Sequence, residues 1–494
     1  MVAILFIIVV ICLTVFYAQN HANHVRQELS FTIANKSLKI EKAPHVILVV
    51  LDTVRADRLS IYRSPHITHR TSKNLEEFSG DALIFENCIA TSSWTLPSHA
   101  SLFTGLYPSE HGMHTKLDSK NKWFWGFPPL SEKLVTLAEI FKDNRYSTGA
   151  VVANNDVLHP GLKFNQGFSH YNCVRSVGSV YRFYPFHPIV HLFCHLTNIF
   201  PKYIFVYRTA DDITKESFRM LDKLSSGPFF LFINYMDAHD PYQPPRPFDG
   251  YFLDTSFPQL YRLQKHFLYF TGNLNQKSWN SYLLSQYDGE IAYLDAQLGK
   301  LFARLKQKDM YDSSLIIITS DHGELFDENG FSSHKTPMYE GVIKVPLIIK
   351  FPFKRKVGRE KTMITLADLY PTILSICDLP VPEGISGKTF GKGSLPIVSE
   401  LYNYGIGEHR ILYNGEYKYM RYQQQREPEL YNLHKDPMEK VNMVNVLPEV
   451  TMKMEEELRE WEMTHGLKFK YTPKKEGTFT KEIWEGLRAL GYLQ

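Results

Sequence analysis

Continuous apolar runs closed by polar residues are the feature that most constrains this chain. They occur at Val46–Leu51 and at residues 148–153, 229–234 and 315–319. A strand with water on one face alternates polar and apolar side chains. A strand covered on both faces does not, and such strands belong to parallel sheets sandwiched by helices. Helical patterns separate the runs, at residues 134–142 and over a long stretch from about 286 to 306. Strands alternating with helices predict an α/β fold with a central sheet between helical layers. Ligands of such sheets bind beyond the carboxyl ends of the strands. Asp52, His239 and the Asp321-His322 pair each follow one of these runs closely.

The chain has 494 residues, enough for one large domain with an accessory lobe or for two to three smaller domains. It carries 55 basic and 52 acidic residues, so its net charge of +3 gives no electrostatic reason to expect nucleic acid. None of the five cysteines falls in a CxxC pair, which argues against a thiolate zinc site. Cys173 and Cys194 could pair if the domain is exported; buried thiols are the alternative.

Residues 1–18 are apolar and uncharged and could just span a bilayer. They lack the basic start and small-residue cut of a cleaved signal, so an uncleaved anchor is expected. Arg26, Lys36, Lys39 and Lys42 follow, and the positive-inside rule alone would hold them in the cytoplasm. Residues 19–43 read as a polar linker. Residues 44–380 read as the main domain. Its aromatic and His-rich stretch 176–208 is either a membrane- or substrate-facing insertion or a packed helical excursion. After a Pro- and Gly-rich shift near residue 380, residues 381–494 read as a smaller lobe. Strands are expected around 410–422 and a helix near 448–465.

Asp52 closes its strand in Leu51-Asp52-Thr53-Val54-Arg55-Ala56-Asp57. A carboxylate there suits a hard cation, or equally a helix cap. In Ser93-Trp94-Thr95-Leu96-Pro97-Ser98-His99, Pro97 suits a first helical turn and Gly105 an end. Thr95 would precede the helix, where the dipole favours an anionic group. Its hydroxyl could attack phosphorus or sulfur, or merely cap the helix. Asp321 and His322 in Ser320-Asp321-His322-Gly323-Glu324 can reach the same crevice; a carboxylate with an imidazole suits Mn or Zn, and carboxylates alone suit Ca or Mg. His239 in Ala238-His239-Asp240-Pro241-Tyr242 and Lys335 in Ser333-His334-Lys335-Thr336-Pro337 could hold ester oxygens or protonate a leaving group.

Taken in order, these segments resemble the sulfatase family of the alkaline-phosphatase superfamily. The resemblance runs from LDTVRAD through TLPSHASLFTGLYPSEHG, AHDPY, YDGEIAYLDAQLGKL, TSDHGE, HKTPMYEGVIKVPLIIKFP and TLADLYPTIL to ELYNLHKDP and LRALGYL. It implies a central mixed sheet sandwiched by helices with a smaller C-terminal α+β lobe. It implies one divalent ion (Mn, Ca or Zn) held by Asp52, Thr95, Asp321 and His322, with Thr95 as nucleophile. His239 and Lys335 would hold the ester and help the leaving group depart. His99 stands where sulfatases carry Arg. The resemblance also places the catalytic domain outside the cytoplasm, exported or membrane-anchored through the N-terminal segment.

The departures redirect the chemistry. Sulfatases oxidise Cys or Ser at the Thr95 position to formylglycine, and the β-methyl of Thr precludes an aldehyde. Leu51 replaces the first of the paired aspartates, His322 replaces a common Asn, and Asn154-Asn155 lie near where a Lys-x-His stretch is usual. A single Asp, an Asp-His pair and a Thr nucleophile resemble the phosphonate, phosphodiester and phosphotransferase branches. The leading expectation is a metal-dependent hydrolase or transferase of phosphate esters, its substrate a small molecule, lipid or glycan. Sulfate-ester hydrolysis without formylglycine is one alternative. A non-catalytic binding protein on the same fold is another, and retention of Asp52, Asp321, His322 and Lys335 argues against it.

Overall fold

A computed structural model describes residues 43–64, 67, 69–114, 129–174, 207–253, 276–334, 337–391, 395–403, 407–423 and 426–465. The expected N-terminal anchor, most of the 176–208 insertion, Lys335, Cys194 and the LRALGYL tail lie outside these residues. Among the described residues no helix is long and apolar enough to cross a membrane.

The first half of the main domain contains β1 (Val46–Leu51), α1 (Lys73–Phe78), β2 (Leu83–Ile89), α2 (Thr95–Thr104), α3 (Pro108–His111), α4 (Leu137–Asp143), β3 (Ser147–Val152), β4 (His170–Asn172), α5 (Ala210–Leu224) and β5 (Phe229–Tyr235). The second half adds α6 (Gln276–Gln307), β6 (Leu315–Thr319), β7 (Leu325–Glu328), β8 (Phe331–Ser333), α7 (Glu340–Ile343), β9 (Lys344–Lys350), β10 (Gly358–Glu360), β11 (Ile364–Thr365) and α8 (Leu369–Ile376). The smaller lobe comprises β12 (Ile397–Asn403), β13 (Gly407–Tyr413), β14 (Tyr417–Tyr422), β15 (Glu429–Asn432) and α9 (Pro448–Thr464).

The central sheet runs β10-β2-β9-β6-β1-β5-β3-β4, with β11 also on β2. Strands β4, β3, β5, β1 and β6 are parallel. Strand β9 then runs antiparallel to both β6 and β2, so β2 points the same way as β1. The sheet is therefore mixed. Every residue of β1, β5 and β6 is buried, the expected result of helices on both faces.

This topology positions the site. The carboxyl ends of β3, β5, β1 and β6 lie side by side on one edge of the sheet, and that of β2 joins them. The ladder continues one step past the strands, because the Asp52 amide donates to the Tyr235 carbonyl at 2.9 Å and the Ala153 amide to the Asn234 carbonyl at 3.1 Å.

The small antiparallel sheet β12-β13-β14-β15 packs on α9 through Val398, Leu412, Tyr419, Leu430, Met454, Leu458 and Trp461. Tyr107, just before α3, completes that core, its ring edge-on to Trp461 at 5.1 Å. The lobe thus rests on the segment that follows α2.

Candidate active site

Asp52 leaves the end of β1 fully buried. Its Oδ2 accepts a hydrogen bond from Asn154 Nδ2 at 3.2 Å, and its Oδ1 has no hydrogen-bond partner. Thr53 follows with φ at 60°, a left-handed conformation that a β-branched residue adopts only under strain. Its hydroxyl lies 2.7 Å from the carbonyls of both Asp52 and Ala238, and its amide donates to Asp321 Oδ1 at 3.3 Å. The strain turns a backbone donor from β1 towards the carboxylate beyond β6.

Asp321 and His322 follow β6. Asp321 Oδ1 also accepts from the His322 amide at 2.9 Å, while Oδ2 has no hydrogen-bond partner. His322 Nδ1 lies 3.0 Å from the Gly323 carbonyl, so it carries the proton and Nε2 presents a lone pair. That Nε2 lies 3.8 Å from Asp52 Oδ1 and 3.5 Å from Asp321 Oδ2. Gly323 is required here because the 341–342 backbone crosses it closely. A Cβ would meet the Gly341 carbonyl oxygen at 2.1 Å.

The ligand atoms of Asp52, Asp321 and His322 lie within 4.8 Å of one another, and all three residues are buried. In each, one atom is tied to a protein donor or acceptor and the other faces the cluster. Two buried carboxylate oxygens without partners are expensive unless a cation satisfies them. Two oxygens and one nitrogen with a hydroxyl nearby suit a divalent ion such as Mn or Zn, so the residues present fit a metal.

Thr95 opens α2 as its first helical residue, with Trp94 at the cap position. The plain N-cap alternative therefore does not describe it. Its hydroxyl lies 3.3 Å from His322 Nε2 and also hydrogen-bonds the Asp52 carboxylate. His99, one turn on, is fully buried, with Nδ1 2.9 Å from the Thr95 carbonyl and 3.5 Å from Asp321 Oδ2. The helix ends at Gly105, whose φ of 68° makes the left-handed cap.

Burial and the neighbouring Asp321 charge push the Asp52 carboxyl well above the usual range, and the Asn154 amide opposes them. Burial likewise raises Asp321, against the pull of His99. Burial, then the adjacent His334, holds His322 down to about 3. The same two causes hold His239 down to about 4. His239 Nδ1 lies 2.7 Å from the Asp240 carbonyl, and its ring meets His334 edge-on at 5.3 Å. The His334 ring in turn lies 4.5 Å from that of His322.

Asp52, Thr95, His99, Asp321 and His322 thus converge, and His239 stands one ring further out; Lys335 lies outside the described residues. Sequence reasoning passed over three supports. Glu324 accepts from His334 Nδ1 at 3.2 Å. The buried Arg55 donates to the Glu324 carbonyl and pairs with Asp57 and Glu328, bracing the β7–β8 hairpin. Asn154 holds Asp52. Glu324 and His334 sit inside motifs already singled out, while Asn154 marked only a departure.

A family model described as Sulfatase matches residues 44–379, and one described as N-sulphoglucosamine sulphohydrolase, C-terminal, matches 328–464. Arylsulfatase K of Canis lupus familiaris is 25% identical over 478 residues, spanning 84% of this chain and 82% of that protein. An arylsulfatase of Clostridium perfringens is 22% identical, spanning 81% of this chain and 90% of its own. A solved structure holding its substrate D-glucosamine-2-N,6-O-disulfate superposes with a TM-score of 0.66 at 19% identity, covering 86% of this chain and 98% of that one. The phosphonate monoester hydrolase of Agrobacterium radiobacter superposes at 0.62 with 21% identity, covering 85% and 96%. With the matching model covering most of the chain and the Asp-Asp-His cluster at the carboxyl edge of its sheet, this protein belongs to the sulfatase family and is an ester hydrolase of that family.

Proposed function

We propose that the chain cleaves phosphate esters through Thr95, forming a phospho-threonine that water or a second alcohol releases. One observation carries this reading: the Thr95 hydroxyl sits 3.3 Å from His322 Nε2, beside the carboxylates that fit a cation. A bound divalent ion would lower the pKa of that hydroxyl and draw the ester oxygens. Asp52, Asp321 and His322 would hold it. Thr95 Oγ forms the bond to phosphorus as the bond to the leaving oxygen breaks. The hydrogen lost from Thr95 ends on the departing alcohol, so no outside proton is required. His239, neutral at pH 7, would pass that proton on. Lys335, from its place in the sequence, would steady the ester oxygens. His99 anchors the Thr95 carbonyl through Nδ1, which also lies 3.5 Å from Asp321 Oδ2, keeping the nucleophile's turn beside that carboxylate.

A second reading has support of its own. The likeness to arylsulfatase K spans 84% of the chain, which favours sulfate esters. An unmodified Thr95 would then attack sulfur. Matched aryl phosphate, phosphonate, phosphodiester and sulfate esters, assayed on purified protein and on Thr95→Ala, decide between them. Phosphorus esters are expected to turn over faster, and Thr95→Ala to lose at least about a thousandfold in kcat. Exclusive turnover of the sulfate would replace the first reading with the second. Full activity in Thr95→Ala would remove Thr95 as nucleophile from both. An N-terminal anchor and extracytoplasmic placement accord with a lipid or glycan substrate.

A further inference from the structure

We propose that Asn154 is a positioning residue that fixes which oxygen of Asp52 receives the metal ion and does so without neutralising that carboxylate. The inference rests on the metal-dependent reading above. Asn154 lies two residues beyond β3 and is buried. Its contacts lock it in place. The backbone amide donates to Asn234 Oδ1 at 3.0 Å, and side-chain Oδ1 accepts from the Val157 amide at 3.2 Å. Because Val157 supplies a donor, the oxygen must face it, and the amide cannot flip. Nδ2 is thereby aimed at Asp52 Oδ2, 3.2 Å away.

A carboxylate turns freely about its last bond, so either oxygen of an isolated Asp52 could face the cluster. The Asn154 donor removes that freedom. It occupies Oδ2 and leaves Oδ1, which has no hydrogen-bond partner, 3.8 Å from His322 Nε2. One oxygen is offered to the ion and the other is held back. The donor's chemistry matters as much as its place. A lysine or arginine here would pair with Asp52 and cancel the charge that attracts a cation. A neutral amide orients the carboxylate and leaves its charge intact. Donors of this kind behind a metal ligand typically change metal affinity by about 10–100-fold when removed.

A purely structural role predicts something else. If Asn154 served only to cap the turn at Val157, its loss would lower thermal stability and leave ion affinity alone. Titrating Mn2+ alone into chelator-stripped protein by calorimetry, beside melting curves in chelator, separates the two. The wild type is expected to bind one ion, and Asn154→Ala to bind it about 10–100-fold more weakly. Asn154→Ser, whose short hydroxyl still serves the Val157 amide but does not reach Asp52, is expected to lose the same factor with less change in melting temperature. An unchanged dissociation constant in a folded Asn154→Ala or Asn154→Ser overturns the assignment while leaving the metal-dependent reading intact. A wild type that binds no Mn2+ overturns both together.

Discussion

Asp52→Asn should make the metal-free protein more stable and abolish its stabilisation by a divalent ion. In the metal-free fold Asp52 is fully buried, Oδ1 has no hydrogen-bond partner, and Asp321 stands beside it. Burial and the Asp321 charge raise its carboxyl well above the ordinary value of 3.8. A raised folded pKa means the folded state binds the proton more tightly than the unfolded chain. That contribution is complete below the unfolded value and lost as pH rises, so at pH 8 the metal-free fold is destabilised at Asp52, whether by holding the proton or by burying the charge. The amide is nearly isosteric and never ionises. Its oxygen can still face Asn154 Nδ2, and its N–H groups turn towards Asp321 Oδ2, which also has no hydrogen-bond partner. Relieving a buried, unpaired charge is worth about 1–3 kcal/mol. With an unfolding entropy of about 2.1 cal/mol/K per residue, a chain this long gains roughly 1 °C in Tm per kcal/mol. The ion acts oppositely. At about a thousand times its dissociation constant it adds about 4 kcal/mol to the wild type and nothing to a variant that cannot hold it. Calorimetric melting at pH 8, in chelator and then in excess Mn2+, reads both effects. A variant less stable than wild type in chelator, or one that gains as much from Mn2+, refutes the reasoning.

Thr95→Ser keeps an alcohol on the same turn of α2 and should retain activity within about tenfold, whereas Thr95→Ala should not; steady-state kcat values on one aryl ester test the pair. His239 is neutral when folded, with its pKa at about 4 against an ordinary 6.5. A depressed folded pKa contributes stability that is complete above pH 6.5 and lost as pH falls towards 4. His239→Gln should therefore gain on wild type by up to about 1.4 kcal/mol per pH unit across that window. Denaturant unfolding in chelator at pH 7.5, 6 and 5 measures the difference, and parallel pH profiles would contradict it. Lys418 is fully buried, 3.3 Å from Glu340 and 2.6 Å from Glu439. Lys418→Met strands both carboxylates and should cost about 3–5 kcal/mol in denaturant unfolding, most of it recovered by adding Glu439→Gln.

The parts of the fold legible in the sequence are those governed by local burial. Residues 46–51, 229–234 and 315–319 read as covered strands because their cores are apolar, and they lie within covered strands. Asp52, Asp321 and His322 read as site residues because they stop such strands. The reversal at β9 was not visible along the chain. Strand β9 is as apolar as its neighbours, and its direction is set by pairing with β6 and β2 across the sheet. The long helix also begins earlier than the expected 286, at Gln276, although Trp279, Tyr282, Leu283 and Tyr287 already recur at helical spacing in the sequence. Thr53 gave no sign of its left-handed backbone, which suits neither a β-branched residue nor any local rule. Asn154 signalled nothing for a related reason. An amide matters by what it points at, and Asp52 is 102 positions away in the chain.

The site's electrostatics explain why the strain at Thr53 is kept. Two carboxylates and an imidazole packed without solvent would relax apart unless something held them before the ion arrived. Each is tethered from behind: Asp52 by Asn154, Asp321 by the amides of Thr53 and His322, and His322 by the Gly323 carbonyl. The Thr53 tether requires φ near 60°, at a cost of about 1–3 kcal/mol. What that strain secures is a buried cluster of two carboxylates and an imidazole held in place before any cation arrives, with the Thr95 hydroxyl 3.3 Å from His322 Nε2. Thr53→Gly tests the balance. Glycine adopts this φ freely but forfeits the hydroxyl that lies 2.7 Å from the Asp52 and Ala238 carbonyls. If preorganisation is the purpose of the strained turn, Thr53→Gly should change stability in chelator by no more than about 1 kcal/mol while weakening Mn2+ binding. A variant as tight as wild type for Mn2+ would show that the turn's geometry, and not the threonine that enforces it, is all the ion requires.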